Sequence, residues 1–175
     1  GQLIFQRYAL MEYGSMFGDG AARGPDFTAE ALHQVAVEMN DFYGNQVTSG
    51  NTDELSQIEK DGISVRVKRE LKANRYDREK NIVMLTEGQA YAAERLAEYY
   101  SSKFKGDHKE AFKPAGYITD DAELKDLSAF FFWGAWVCAV ERPGGESSYT
   151  HNWPFDEYAG NTPTPSVILW SVIGM

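Results

Sequence analysis

The stretch "FFFWGAWVCAV", Phe130 to Val140, is apolar on every helical face. A helix of that kind must be enclosed on all sides, by protein or by lipid. Its eleven residues end at Glu141-Arg142-Pro143, short of the roughly twenty that a bilayer crossing needs. It is therefore predicted to be the second half of a central core helix, opened by Thr119 or Asp120, around which the rest of the chain must pack.

The remainder of the 175-residue chain supplies the partners for one domain. Apolar positions at 3, 4, 5, 8, 10, 11 and 13 predict a first amphipathic helix. A glycine-rich loop, "FGDGAARGPDF", leads to a second helix over about 28–44, capped by Thr28 or Asp26, with Gly44 as its C-cap. Thr52 or Asp53 is expected to start a third helix, whose middle is weakened by Gly62 and the Ser-Val-Arg-Val run. Ile82 to Leu85 reads as a short strand pairing near Arg75 and Tyr76. Thr86 then caps a strongly amphipathic helix running to about Phe104. The segment from 144 to 166 is irregular, rich in turn formers and aromatics, and a loop of that length is usually functional or held by a partner. The sum is a mostly α fold with a minor β-hairpin.

Composition removes several functions. A net charge of −9 argues against nucleic acid, and the most basic stretch, Arg66 to Lys80, interleaves Asp and Glu like a solvated face. Cys138 is the sole cysteine, so no intrachain disulfide, CxxC pair or CxxCH haem attachment exists, and its apolar surroundings mark it as a buried thiol. The loop around Gly18, Asp19, Gly20 and Gly24 fits neither phosphate-binding pattern, and Asp19 would repel a phosphate. His33, His108 and His151 are scattered without HxxxH or HExxH spacing. Asp120 and Asp121 sit where a helix N-terminus wants acids, and Ser147 and Ser148 lack a GxSxG context. The closing "SVILWSVIGM" is apolar all round, either a buried terminal element or the first turns of a membrane helix.

Four segments carry a resemblance: "YGSMFGDGAARGPDFTAEALH" (13–33), "LKANRYD" (71–77), "AFFFWGAWVCAVERPG" (129–144) and "YTHNWPFDEYAGNTPTPSVILWS" (149–171). In this order, over nearly the whole chain, they resemble the extracytoplasmic domain of the quinol-dependent nitric oxide reductases, relatives of the haem-copper oxidases. The resemblance implies a cytochrome c-like helical core lacking haem. The family's relation to the cytochrome c subunit of the two-subunit reductases implies that the two cysteines and the histidine of that subunit's CxxCH would fall at Leu10, Tyr13 and Gly14, so covalent haem c cannot form. It implies aromatics in the vacated pocket, with Phe17, Phe130 to Phe132, Trp133 and Trp136 expected there. It also implies a soluble domain over 1–165 between two membrane helices, with 166–175 beginning the second.

On the same resemblance, the domain lies on the periplasmic or extracytoplasmic face and its partner is the membrane-embedded part of its own parent chain. Phe17, Gly18, Gly20, Asp26, Trp153, Pro154, Asn161 and Trp170 are the residues expected to meet that part. No catalytic residue, cofactor or small-molecule substrate is expected on this segment. The parent is expected to carry haem b, haem b3 and a non-haem iron, to take electrons from quinol and to reduce two NO to N2O. Gly20 matches a glycine whose carbonyl binds calcium in relatives, but Ala22 stands where the tyrosine ligand would be. Two other classes stay open: a stand-alone metal-dependent enzyme built on His33, His108 or His151, and a redox carrier with non-covalent haem.

Overall fold

The computed structural model describes residues 1–21, 24–48, 50–106 and 114–173. Six helices and two small antiparallel pairs follow one another: α1 Gln2–Arg7, β1 Ser15–Met16, β2 Asp19–Gly20, α2 Phe27–Thr48, α3 Gln57–Lys72, β3 Tyr76–Asp77, β4 Ile82–Val83, α4 Glu87–Lys105, α5 Asp121–Ala139 and α6 Pro165–Ile173. Helices α2, α4 and α5 pack against one another; α3 lies on α2, and α1 lies on α5. The mostly helical expectation holds, and α5 is the central helix that its sequence required.

Local signals set most boundaries. Asp120 caps α5 by accepting the Glu123 amide at 2.9 Å. Thr86 and Gln89 form a reciprocal capping box at the start of α4. The expected strand pair forms with Tyr76 opposite Val83 and Asp77 opposite Ile82. Other boundaries move. The first helix ends at Arg7, because Ala9 turns left-handed at φ 47° before a 3-10 turn over Leu10–Glu12. Helix α2 passes through Gly44 to Thr48; that glycine is a close-packing position, since a Cβ there would lie 3.0 Å from Thr52 Cγ2. Helix α3 starts at Gln57 behind a Ser56–Glu59 capping box rather than at Thr52 or Asp53, and it runs unbroken through Gly62.

The centre is a stack of rings from four helices. Phe131 lies nearly parallel to Phe27 at 4.8 Å between centroids and 4.6 Å from Tyr100. Phe5 meets both phenylalanines edge-on, and Phe104 stacks on Phe27. Such offset and edge-on pairs add to the burial itself. Of the aromatics named from the sequence, Phe131 is central and Phe130 packs beside it against Phe5, while the other rings of the stack come from α1, α2 and α4. Trp133 is 46% exposed and Trp136 half-buried, because α5 is covered chiefly by α2 and α4, which leave one side facing out.

One carboxylate ties three helices together. Glu70 of α3 is 7% exposed and accepts from Tyr43 of α2, from Thr86 at the start of α4 and from Arg66 one turn back, at 2.7, 2.6 and 3.0 Å. Burial alone would raise its pKa, but the three donors outweigh it and hold the carboxyl below its ordinary value. A depressed carboxylate contributes stability above its unfolded pKa, and that contribution is lost as pH falls through the lower folded value. Glu70→Gln is expected to cost about 1–3 kcal/mol near neutral pH and to flatten the acid limb of the stability profile. Urea midpoints at neutral and acidic pH check this; equal slopes with pH for both proteins would refute it.

Candidate functional site

The glycine-rich loop closes into a hairpin, a second small β element that periodicity did not reveal. Ser15 pairs with Gly20 and Met16 with Asp19, leaving Phe17 and Gly18 as the turn at φ 56° and 79°. Positive φ at both central residues is what a tight two-residue hairpin demands, and phenylalanine adopts it at a cost. Two side chains of the next helix hold the turn. Thr28 Oγ1 accepts the Phe17 amide at 2.7 Å, and Asp26 Oδ2 accepts both the Gly18 amide and the Ser15 hydroxyl at 2.7 Å. The other Asp26 oxygen caps α2 by accepting the Ala29 amide at 2.9 Å. Asp26 is therefore the cap, while Thr28 serves the turn.

The hairpin seats on α5 at Gly134, a residue that no motif or spacing singles out. A Cβ there would lie 2.5 Å from Met16 Cε and 3.0 Å from Thr28 Cγ2, so the Met16 side chain occupies the space that glycine leaves on α5. The Phe17 ring then meets Trp133 edge-on at 6.0 Å, and Trp133 stacks on Phe130 at 5.8 Å. Above the turn, the Trp153 ring lies within reach of Gly18. A cleft of about 530 Å³ opens here between Phe17, Gly18, Thr150, Trp153 and Val167 of α6. The hairpin, the 144–165 segment and α6 thus converge on one face.

The long segment is pinned at two points. Asn161 is fully buried: its side chain donates to the Cys138 carbonyl at 3.0 Å and accepts from Lys72 Nζ. Its backbone exchanges two hydrogen bonds with Asp156, at 2.8 and 3.0 Å. Asp156 in turn bonds His33 Nδ1 of α2 at 2.8 Å. Burial lowers the Lys72 pKa, partly offset by nearby Glu141. Further along, the Thr164 amide donates to the His151 carbonyl at 3.0 Å, immediately before α6 begins. The Trp153-Pro154 peptide is cis, and Pro154 is buried.

Of the residues expected at an interface, Phe17, Gly18 and Trp153 meet one another, with Asp26 supporting them. Gly20, at φ 141°, pairs with Ser15; a Cβ there would be 2.5 Å from the Gly14 carbonyl oxygen. Asn161 and Pro154 face inward and position the segment. The Trp170 side chain, Ala22 and His108 lie outside the described residues. Among the described residues no group of three His, Cys, Asp or Glu could hold a metal ion. His33 pairs with Asp156, and its ring meets Tyr158 edge-on at 5.4 Å.

The residues present do not fit a covalent haem. Leu10 is fully buried, and a Cβ on Gly14 would lie 2.5 Å from the Pro25 carbonyl oxygen and 2.6 Å from the Phe27 ring. The void beside α5, lined by Leu32, Phe132 and Trp136 among others, is about 10 Å³, no more than a water's space. The lone thiol is remote from this chemistry: burial pushes Cys138 up to about 12, against a lowering hydrogen bond from Thr150. Native Cys138 is expected to react with a thiol reagent at least about a hundredfold more slowly than in denaturant. Equal labelling rates in buffer and in urea would contradict that.

The family model for the cytochrome c-like domain of the nitric oxide reductase protein NorB matches residues 1–155. No curated protein matches the chain.

Proposed function

This chain belongs to the family of NorB cytochrome c-like domains of nitric oxide reductase, and on that premise we propose that it is a non-catalytic cap on the outer face of a membrane reductase. The observation that carries the reading is α6. Beyond half-buried Val167, its side chains Ile168, Leu169, Val172 and Ile173 are 55–63% exposed, although the segment just before it is pinned by buried Asn161. The domain fixes where this helix leaves and does not cover it. Among the described residues no helix is long and apolar enough to cross a membrane; α6 is read as the part of such a helix nearest the domain.

In this proposal Phe17, Gly18 and Trp153, supported by Asp26, abut the membrane-embedded part of the parent chain at the periplasmic or extracytoplasmic surface. Trp170 and Gly20 belong to the same contact. Haem b, haem b3, the non-haem iron and the quinol site reside in that other part, where two NO, two electrons and two protons become N2O and water. This chain contributes position and shielding rather than a reacting group, because no haem-attaching residue is present and Gly14 leaves no room for an axial histidine.

Two measurements test the reading. The purified chain is expected to show no Soret band after haem addition and no stoichiometric zinc or iron; a Soret band would favour a redox carrier, and bound metal a metal-dependent enzyme. The chain is also expected to float with phospholipid vesicles, and Ile168→Asp with Leu169→Asp to release it. Equal flotation of both proteins would remove α6 as the attachment.

A further inference from the structure

The outward face of α3 carries a narrow apolar line on an open, electrically polarised surface. Ile63, Val67, Glu70 and Leu71 turn inward and are buried. On the opposite side Ile58 is 84% and Val65 65% exposed, two turns apart on one line. Gly62 lies between them, and a Cβ built there meets no atom within 4 Å. Ile58, Gly62, Val65 and the exposed Arg69 thus form a continuous stripe at i, i+4, i+7 and i+11. Acids Glu59 and Asp61 flank its first half, and Lys68 and Arg69 its second. Lys60 lies off this stripe, lining a cleft with Asn40 and Asp41.

We propose that this face of α3 is a docking surface for a second copy of this chain, the two helices crossing antiparallel about Gly62 and Val65. A two-fold axis makes the contact self-complementary. Val65 of each copy enters the space over the other's Gly62, and Ile58 covers the aliphatic stem of the other's Arg69. Asp61 then lies on the same flank as Lys68 of the second copy, so the acidic half of each helix meets the basic half of its mate. A parallel pairing would set like charges together, and a uniformly charged partner or membrane would be repelled by one half of the stripe. A single helix pair is at the small end of specific interfaces, so the association is transient and salt-sensitive.

Analytical ultracentrifugation over a wide concentration range tests this with the whole chain. The weight-average mass is expected to rise towards that of a dimer, and Val65→Glu to weaken the dissociation constant by about tenfold or more. A charge exchange isolates the surface. Glu59→Lys with Asp61→Lys gives a basic stripe, and Lys68→Glu with Arg69→Glu gives an acidic one apart from Arg66, which is paired with Glu70. Each variant alone is expected to stay monomeric, and an equimolar mixture to form the heterodimer. A wild type that remains monomeric throughout would overturn the proposal. So would association that the α3 variants leave unchanged, which would assign it to another surface such as α6. Circular dichroism of each variant shows whether the fold is intact; for any variant that is not folded, the Val65→Glu comparison decides.

Discussion

Phe131→Ala is expected to destabilise the domain by about 3–5 kcal/mol, a large part of what a domain of this size has in reserve. The ring is fully buried and touches Phe5, Phe27, Tyr100 and Phe130, which arrive from α1, α2, α4 and α5 itself. Removing it takes away the transfer free energy of a phenyl group and leaves a cavity that four helices cannot jointly close. Trp133→Ala, further along the same helix, removes a larger ring but is expected to cost much less, because Trp133 is nearly half exposed. Urea unfolding followed by circular dichroism checks both. A larger loss for Trp133 than for Phe131 would mean that the core is centred elsewhere.

Restoring the haem-attachment pattern is expected to fail. Leu10→Cys, Tyr13→Cys and Gly14→His together supply every residue that the chemistry requires. The obstacle is space. The Gly14 Cβ position is already occupied, within 2.5 Å, by the Pro25 carbonyl and, within 2.6 Å, by the Phe27 ring. The Pro25 oxygen is itself bound by the Ser15 amide at 2.9 Å, so it cannot simply move aside. The imidazole would have to displace the hairpin or the ring that stacks on Phe131, at a cost of about 3 kcal/mol or more. The triple variant, produced alongside a cytochrome c maturation system, is expected to yield no covalent haem spectrum and a lowered urea midpoint, with Gly14→Ala alone already destabilised. A haem c spectrum on a chain with undiminished stability would show that the interior can reopen.

Much of this fold was legible along the chain because the signals concerned were local. An apolar run too short for a membrane fixed α5 as the centre; Thr86 and Asp120 announced α4 and α5 through caps that involve residues three apart. The β3–β4 pair followed from a short apolar run beside a turn. The misplaced boundaries have several causes. Ala9 breaks the first helix, Gly44 and Gly62 do not break theirs, and Ser56 rather than Thr52 starts α3. Gly44 admits Thr52 and Leu55 from the following turn, whereas Gly62 faces open space and Ser56 is selected by its capping box with Glu59; at Gly44 it is the packed neighbour that decides. Propensity describes the isolated segment and carries no record of that neighbour.

The candidate site divides along the same line. The sequence by itself determined that no covalent haem can attach, that a glycine-rich turn precedes a capped helix, and that an aromatic segment leads to an apolar end. Those are matters of which atoms are present. Only the tertiary structure decided that Asp26 and Thr28 hold a left-handed Phe17, that Gly134 seats the hairpin on α5, and that Asn161 links Lys72 to the Cys138 carbonyl. These contacts join positions far apart in the chain, as between Phe17 and Gly134. Their geometry is set by the packing of whole helices, and no spacing along the chain encodes it.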